Sequence, residues 1–201
     1  MTSSSTIILV GVSGCGKSTL CESALHKYPF IKKLIAVTTR PSRQNEIDGI
    51  DKYFVTQKEF DVQYSSNFLC LSYEAYGYHY AFRKNDFLTG DTYISELNYR
   101  NHEDFINYCL NVNTIYIQPC EIELAVLGIK NRDVFGNEAS SRIDQINDDW
   151  MALDNLYLEG RFNYQFINYY DNDSKIRFDN LIRTILTQAN TQAISQLIMK
   201  Y

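Results

Sequence analysis

The chain has no block of lysine or arginine, and its formal charge is -5. A dedicated DNA or RNA binder rests on clustered cations facing phosphates, so that role is set aside and no nucleic acid partner is expected. It also lacks a CxxC pair. Cys15, Cys21, Cys70, Cys109 and Cys120 are odd in number and have no short zinc-ligand spacing to His26, His79 or His102, which reads as reduced thiols in a cytoplasmic protein. There is no long hydrophobic run. The apolar stretch at 6–10 is too short for a signal core or a membrane span, and no Lys or Arg precedes it, so a soluble protein without a membrane partner is expected. Internal repeats, heptads and Pro-rich linkers are missing as well. What is present is apolar content: 45% hydrophobic residues in 201 suffice for one compact domain with a full core.

After a polar tail, residues 7–10 read as a buried, β-branched strand of a parallel sheet. Further strands are expected over 34–37, 92–97, 114–118 and 165–168. Helical spacing is found over 17–28, where Pro29 ends the run, and over 102–110, 121–129, 140–153 and 175–198. Strands alternating with helices imply an α/β fold with a parallel sheet flanked by helices. Residues 38–86 break the pattern. They are rich in Tyr, Phe and charge, carry Gly49 and Gly77 as turn signals and show no long helical period, as in a small, mostly β insertion.

Gly11-Val-Ser-Gly-Cys-Gly-Lys-Ser18 matches GxxxxGK[ST] between the first strand and the first helix. Glycines let backbone N–H groups wrap a phosphate, and the helix start adds its positive dipole end. On that pattern Gly11, Ser13, Gly14, Cys15, Gly16, Lys17, Ser18 and Thr19 form an ATP site. Lys17 would reach the β- and γ-phosphates, and Ser18 would offer its hydroxyl to Mg²⁺. Cys15 reads as a small filler of the loop, and Thr19 as a second hydroxyl near the nucleotide.

The segment at 38–54, Thr-Thr-Arg-Pro-Ser-Arg-Gln-Asn-Glu-Ile-Asp-Gly-Ile-Asp-Lys-Tyr-Phe, resembles the acceptor-binding signature of guanylate kinases. The similarity continues through 67–70, 77–80, the strand ending at Glu96 and the late strand ending at Asn168. It implies a P-loop nucleoside monophosphate kinase architecture: core at 1–35, 89–129 and 143–201, acceptor-binding subdomain at 36–88, and lid at 130–142. By that resemblance Arg40 and Arg43 grip the acceptor phosphate, a task suited to the guanidinium fork. Tyr80 and Glu96 also belong to the acceptor side, with Glu96 near the metal. Arg142 and Arg132 are the lid cations that neutralise the transferring group, with Lys130 an alternative to Arg132. Glu46 and Asp51 would order the acceptor loop.

Three departures bear on the acceptor. Cys70 stands where guanylate kinases carry a glutamate that reads the guanine edge, Ala36 replaces a serine used for the same purpose, and Lys52 replaces a phosphate-binding tyrosine. The stretch at 68–80 looks more like the ribose bisphosphokinases of phosphonate metabolism. The expected activity is therefore transfer of the γ-phosphoryl group of Mg-ATP to a phosphorylated small molecule, GMP or dGMP first and a sugar phosphate such as ribose bisphosphate second. A non-catalytic guanylate-kinase-like binding module and a simple P-loop ATPase stand as rivals, and the protein is expected to be a monomer or homodimer.

Overall fold

The structure is a computed structural model that describes residues 5–87, 91–109, 111–131 and 138–198. Its centre is a five-stranded, all-parallel sheet in the order β2-β7-β1-β8-β9, formed by β1 (Ser5–Val10), β2 (Ile31–Lys33), β7 (Thr92–Glu96), β8 (Val112–Pro119) and β9 (Tyr164–Asn168). β1 lies in the middle and is buried along its whole length. That is why Ile7-Ile8-Leu9-Val10 is an unbroken apolar run and not an alternating one.

The chain leaves β1 toward β2 on one side and later returns to β8 on the other, so the strand order reverses around β1. A crevice opens at the carboxyl ends of strands at such a point, which is where α/β sheets bind ligands. Helices α1 (Lys17–Lys27) and α7 (Asn172–Ile198) pack against each other beside the sheet. On α7 the buried positions Phe178, Ile182 and Ile185 recur at helical spacing. Asp179 ties the two helices together by accepting from Lys27 Nζ at 2.6 Å and Tyr28 Oη at 2.6 Å.

A second sheet, β4-β3-β6-β5, is built from β3 (Ala36–Thr38), β4 (Tyr53–Phe54), β5 (Leu69–Ala75) and β6 (Tyr78–Arg83). Strand alternation divides its side chains. Val37, Leu69 and Ala81 meet Phe60 of α2 (Gln57–Ser65) in a small core of their own, while Ala36, Cys70 and Phe82 join the main core. Phe82 is fully buried there and meets Phe105 edge to face at 5.6 Å. This contact fastens the second sheet to α3 (His102–Tyr108).

Three expectations change. The single strand expected over 34–37 is the crossing between two sheets: β2 ends at Lys33 and β3 starts at Ala36. The helix expected over 140–153 is two, α5 (Glu138–Asp144) and α6 (Ile146–Leu158), broken at Gln145. The insertion also contains α2, whose Thr56 and Glu59 form a reciprocal capping box. Only Phe60 of that helix is buried, so a hydrophobic period was not there to be seen. The remaining helix is α4 (Ile122–Lys130).

Replacing Phe82 by Ala is expected to lower the unfolding free energy by about 3–5 kcal/mol, the range for emptying a buried aromatic site. Urea titration reads the change. A loss no larger than the ~0.5 kcal/mol of a surface substitution would show that the two sheets are held together elsewhere.

Candidate active site

Between β1 and α1, residues 11–16 form a compact loop whose glycines have separate steric reasons. At Gly14 a Cβ would lie 2.0 Å from the Ala125 carbonyl oxygen of α4, and Gly16 takes a left-handed conformation at φ 91° directly before α1. The loop is anchored from β9 and just beyond it. Asn168 Nδ2 donates to the Cys15 carbonyl at 2.9 Å, and Tyr170 Oη donates to the Gly14 carbonyl at 3.2 Å. Among the described residues no side chain caps the N-terminus of α1, and its first turn has no acidic residue. Its orphan N–H groups and dipole end are thus left for an anion. Lys17 arches back over the loop, donating to the carbonyls of Gly11 at 2.9 Å and Val12 at 2.8 Å.

The loop forms one end of a cleft of about 500 Å³ lined by six cationic and five anionic side chains. Ser13, Ser18, Thr19, Arg40, Arg43, Tyr80, Glu96 and Arg142 of the expected site residues all line it, with Gly11 and Lys17. Gly14, Cys15 and Gly16 shape the loop beneath, and Cys15 is fully buried. Arg132 lies outside the described residues. Lys130 ends α4 and is exposed, and it lines an apolar groove and not this cleft.

Ser18 Oγ donates to Glu96 Oε2 at 2.9 Å. Burial alone would raise the Glu96 carboxyl, but the Lys52 and Lys17 ammonium groups, the Ser18 hydroxyl and Lys33 together hold it below the usual carboxylate range. Serine hydroxyl and ionised carboxylate are hard oxygen donors. Mg²⁺ takes one or two protein oxygens and fills its shell with phosphate and water, so Ser18 and Glu96 fit that ion.

Across the cleft, Arg40 is 3% exposed and gives its Nη2 to both oxygens of Glu46 at 2.8 Å. Glu46 also accepts the Arg43 backbone N–H at 2.8 Å, which orders the connection between β3 and β4. Asp51 accepts from the Ile47 backbone N–H at 2.8 Å and from Lys33 Nζ at 3.3 Å. Tyr80 stacks on Tyr73 with ring centroids 5.2 Å apart.

The sequence did not single out Asp149. It sits in the first turn of α6, 3% exposed, and accepts from Tyr76 at 3.3 Å, Tyr99 at 3.1 Å and Arg100 at 2.6 Å. Burial and the Asp149 carboxylate push the Tyr76 phenol up to about 12, so it stays a donor. Arg142 of α5 lies over the Tyr76 ring at 4.4 Å and donates to Ser13 Oγ at 2.9 Å. Second sheet, α6, α5 and phosphate loop therefore meet around one carboxylate and one ring. An acid in a helix's first turn is ordinary in sequence, so only the packing reveals it.

Cys70 and Ala36 do not reach the cleft. An extra residue in β5 shifts the register between Cys70 and Tyr73, with Leu71 at φ 53°. This bulge brings Tyr73 and Ala75 to the cleft wall. Cys70 stays below, inside the main core, with its Sγ donating to the Phe82 carbonyl at 3.5 Å. Burial raises its thiol. Cys70, at the position where guanylate kinases carry a glutamate, is therefore a core residue and not among those that line the cleft.

Residues 3–92 match the family model described as Guanylate kinase. A guanylate kinase from Symbiobacterium thermophilum is 35% identical over 74 residues, 37% of this chain, and the matched stretch spans 35% of that relative, about a third of its length. One from Nostoc sp. is 27% identical over 166 residues and 81% of each chain. Among solved structures, guanylate kinase from Anaplasma phagocytophilum matches with a TM-score of 0.65 at 19% identity over 92% of this chain and 87% of its own, which shows the shared fold.

Cys70→Glu is expected to add no affinity for GMP and to cost about 2 kcal/mol or more of stability, because it buries a carboxyl among apolar side chains. Calorimetric titration with GMP and thermal unfolding check the two halves. A stable variant that binds GMP more tightly would show that this position does open onto the cleft.

Proposed function

We propose that this chain, with its P-loop kinase fold and a guanylate kinase match over its first half, is a guanylate-kinase-like phosphotransferase. It moves the γ-phosphoryl group of Mg-ATP to a phosphorylated small molecule, with GMP or dGMP as the first acceptor. The observation that carries this reading is that the phosphate loop and a second set of cations, Arg40, Arg43, Lys33 and Lys52, line a single cleft. One phosphate site would serve an ATPase or a switch. Two sites in one cleft serve a reaction between two phosphorylated ligands.

In that reaction an oxygen of the acceptor phosphate attacks the γ-phosphorus while the bond to the β,γ-bridging oxygen breaks, and ADP leaves. A dianionic acceptor has no proton to surrender, so no general base is required. What the protein supplies is in-line positioning and neutralisation of charge. Lys17 is freed from the Gly11 and Val12 carbonyls to hold donor phosphates. Arg142 lies next to Ser13 and so belongs with the transferring group. Mg²⁺ at Ser18 and Glu96 would neutralise donor charge when bound.

A sugar phosphate acceptor is the second reading, favoured by the burial of Cys70 and Ala36 away from the cleft. A non-catalytic module is disfavoured because Lys17 and Ser18 are both present and both line the site. The second sheet is proposed as the acceptor-binding part and α5 as part of the lid. Among the described residues no helix is long and apolar enough to cross a membrane, and a cytoplasmic location goes with this small-molecule chemistry.

Lys17→Ala is expected to keep the fold, since the loop is held by Asn168 and Tyr170, and to lower kcat by ~10²–10³-fold, the scale of removing one donor to a developing charge. Steady-state ATP consumption with GMP, beside circular dichroism of the same sample, checks it. Near-normal turnover in a folded variant would remove the phosphotransfer reading.

A further inference from the structure

Tyr76 stands where the backbone disfavours a tyrosine. With Gly77 it forms the two-residue turn between β5 and β6, where Ala75 pairs with Tyr78, and both turn residues take positive φ, 54° and 77°. Asn and Gly suit such a turn, and a bulky side chain at its first position is strained. Two contacts keep the ring there. The phenol donates to Asp149 Oδ2 at 3.3 Å, and the ring carries the Arg142 guanidinium at 4.4 Å. All three residues line the cleft, and strain held at such a place points to a role in the site.

Asp149 is fixed independently of Tyr76. Its Oδ1 accepts from Tyr99 and Arg100, which belong to a short helical turn at 99–101 that is capped by Asn98 Oδ1 on the Arg100 N–H at 3.0 Å. Its own N–H donates to the Gln145 carbonyl at 2.9 Å, at the break between α5 and α6. With three donors on its two oxygens and 3% exposure, the carboxylate has little room left for a metal or for a ligand's proton. Its partners are protein groups, and it serves as an anchor.

Tyr76 passes that anchorage on to Arg142. Its hydrogen bond sets the orientation of the ring, and a phenol that donates to a carboxylate has a more electron-rich face, which holds a guanidinium more firmly. Arg142 Nη1 then reaches Ser13 Oγ of the phosphate loop at 2.9 Å. We infer that Asp149 is a positioning residue for phosphoryl transfer: it fixes the Tyr76 ring, and the ring lays the Arg142 guanidinium against the phosphate loop. This rests on the phosphotransfer reading above.

The test measures the single-turnover rate of transfer from Mg-ATP to GMP, and the KM for both substrates, in wild type, Tyr76→Phe, Asp149→Ala, Arg142→Met and each of the first two variants combined with Arg142→Met. Tyr76→Phe keeps the ring and loses only its anchor, and is expected to lower the rate roughly tenfold, the scale of one hydrogen bond to a charged group. Both KM values are expected to stay within about threefold of wild type, as for a contact that matters in the transition state. Arg142→Met alone is expected to lose ~10²-fold. In that background neither Tyr76→Phe nor Asp149→Ala should lower the rate more than about twofold further, because a residue that acts through Arg142 has nothing left to act on. A second readout needs no turnover. In protein carrying isotope-labelled arginine, the Arg142 side-chain N–H signals are shifted by the Tyr76 ring, and Tyr76→Leu, which has no ring, gives their unstacked position. Asp149→Ala is expected to move the signals most of the way to that position.

Single variants as fast as wild type, losses that multiply in full with Arg142→Met, or Arg142 signals unmoved in Asp149→Ala would overturn the inference. Tyr76→Phe carries both readouts if Asp149→Ala does not fold. Wild type that binds a non-hydrolysable ATP analogue yet transfers nothing to GMP would strike the phosphotransfer reading instead. The Arg142 signals then decide by themselves: movement in the variant supports the placement of Arg142 by Asp149, and none overturns it.

Discussion

Like charges crowd the cleft, and their mutual repulsion has to be held in check before any ligand arrives. Six cationic side chains line one space of about 500 Å³. The chain meets this in three ways: by pairing cations with carboxylates, as Arg40 with Glu46 and Lys33 with Asp51; by folding a cation onto carbonyl oxygens, as Lys17 on Gly11 and Val12; and by surrounding one half-buried carboxylate, Glu96, with several cations. Each arrangement can be exchanged for phosphate oxygens at modest net cost, because a charge-assisted bond is traded for another of its kind.

The scaffold makes these exchanges local. Glu96 ends β7 and Asn168 ends β9, both at the carboxyl edge of the sheet where the strand order reverses around β1. Central strands buried on both faces give that edge little freedom. The second sheet is fastened to the core through Phe82 and reaches the opposite side through Tyr76 and Asp149, so it spans the cleft from its floor to its rim. The β5 bulge decides which residues of that sheet line the cleft: Tyr73 and Ala75 do, and Cys70 does not.

The loop and its flanking strand and helix were legible in the sequence because each fixed position has a steric or electrostatic reason that tolerates few residue types. Arg40, Arg43, Glu46 and Glu96 were legible through the resemblance of the 38–54 segment and the strand that ends at Glu96. The hand-over from β2 to β3 was not, because Leu34 to Val37 is apolar throughout and both sheets accept apolar residues. Helix α2 left a signal in Thr56 and Glu59, but with only Phe60 buried there was no period to support it. Asp149 and the displacement of Cys70 arise from packing between distant segments, and a linear pattern does not carry that information. Lys52 was visible as a departure, and that its ammonium makes no hydrogen bond or ion pair with a described residue became visible only with the fold.

The claim that two phosphate sites share one cleft for transfer is tested most directly by following ADP formation from Mg-ATP with wild-type protein in the presence of GMP and, separately, of guanosine. The account predicts sustained turnover with the phosphate monoester and only background with the nucleoside, which has no group for Arg43 and Lys52 to hold. ATP consumption at the same rate with either compound, or with neither present, would contradict it.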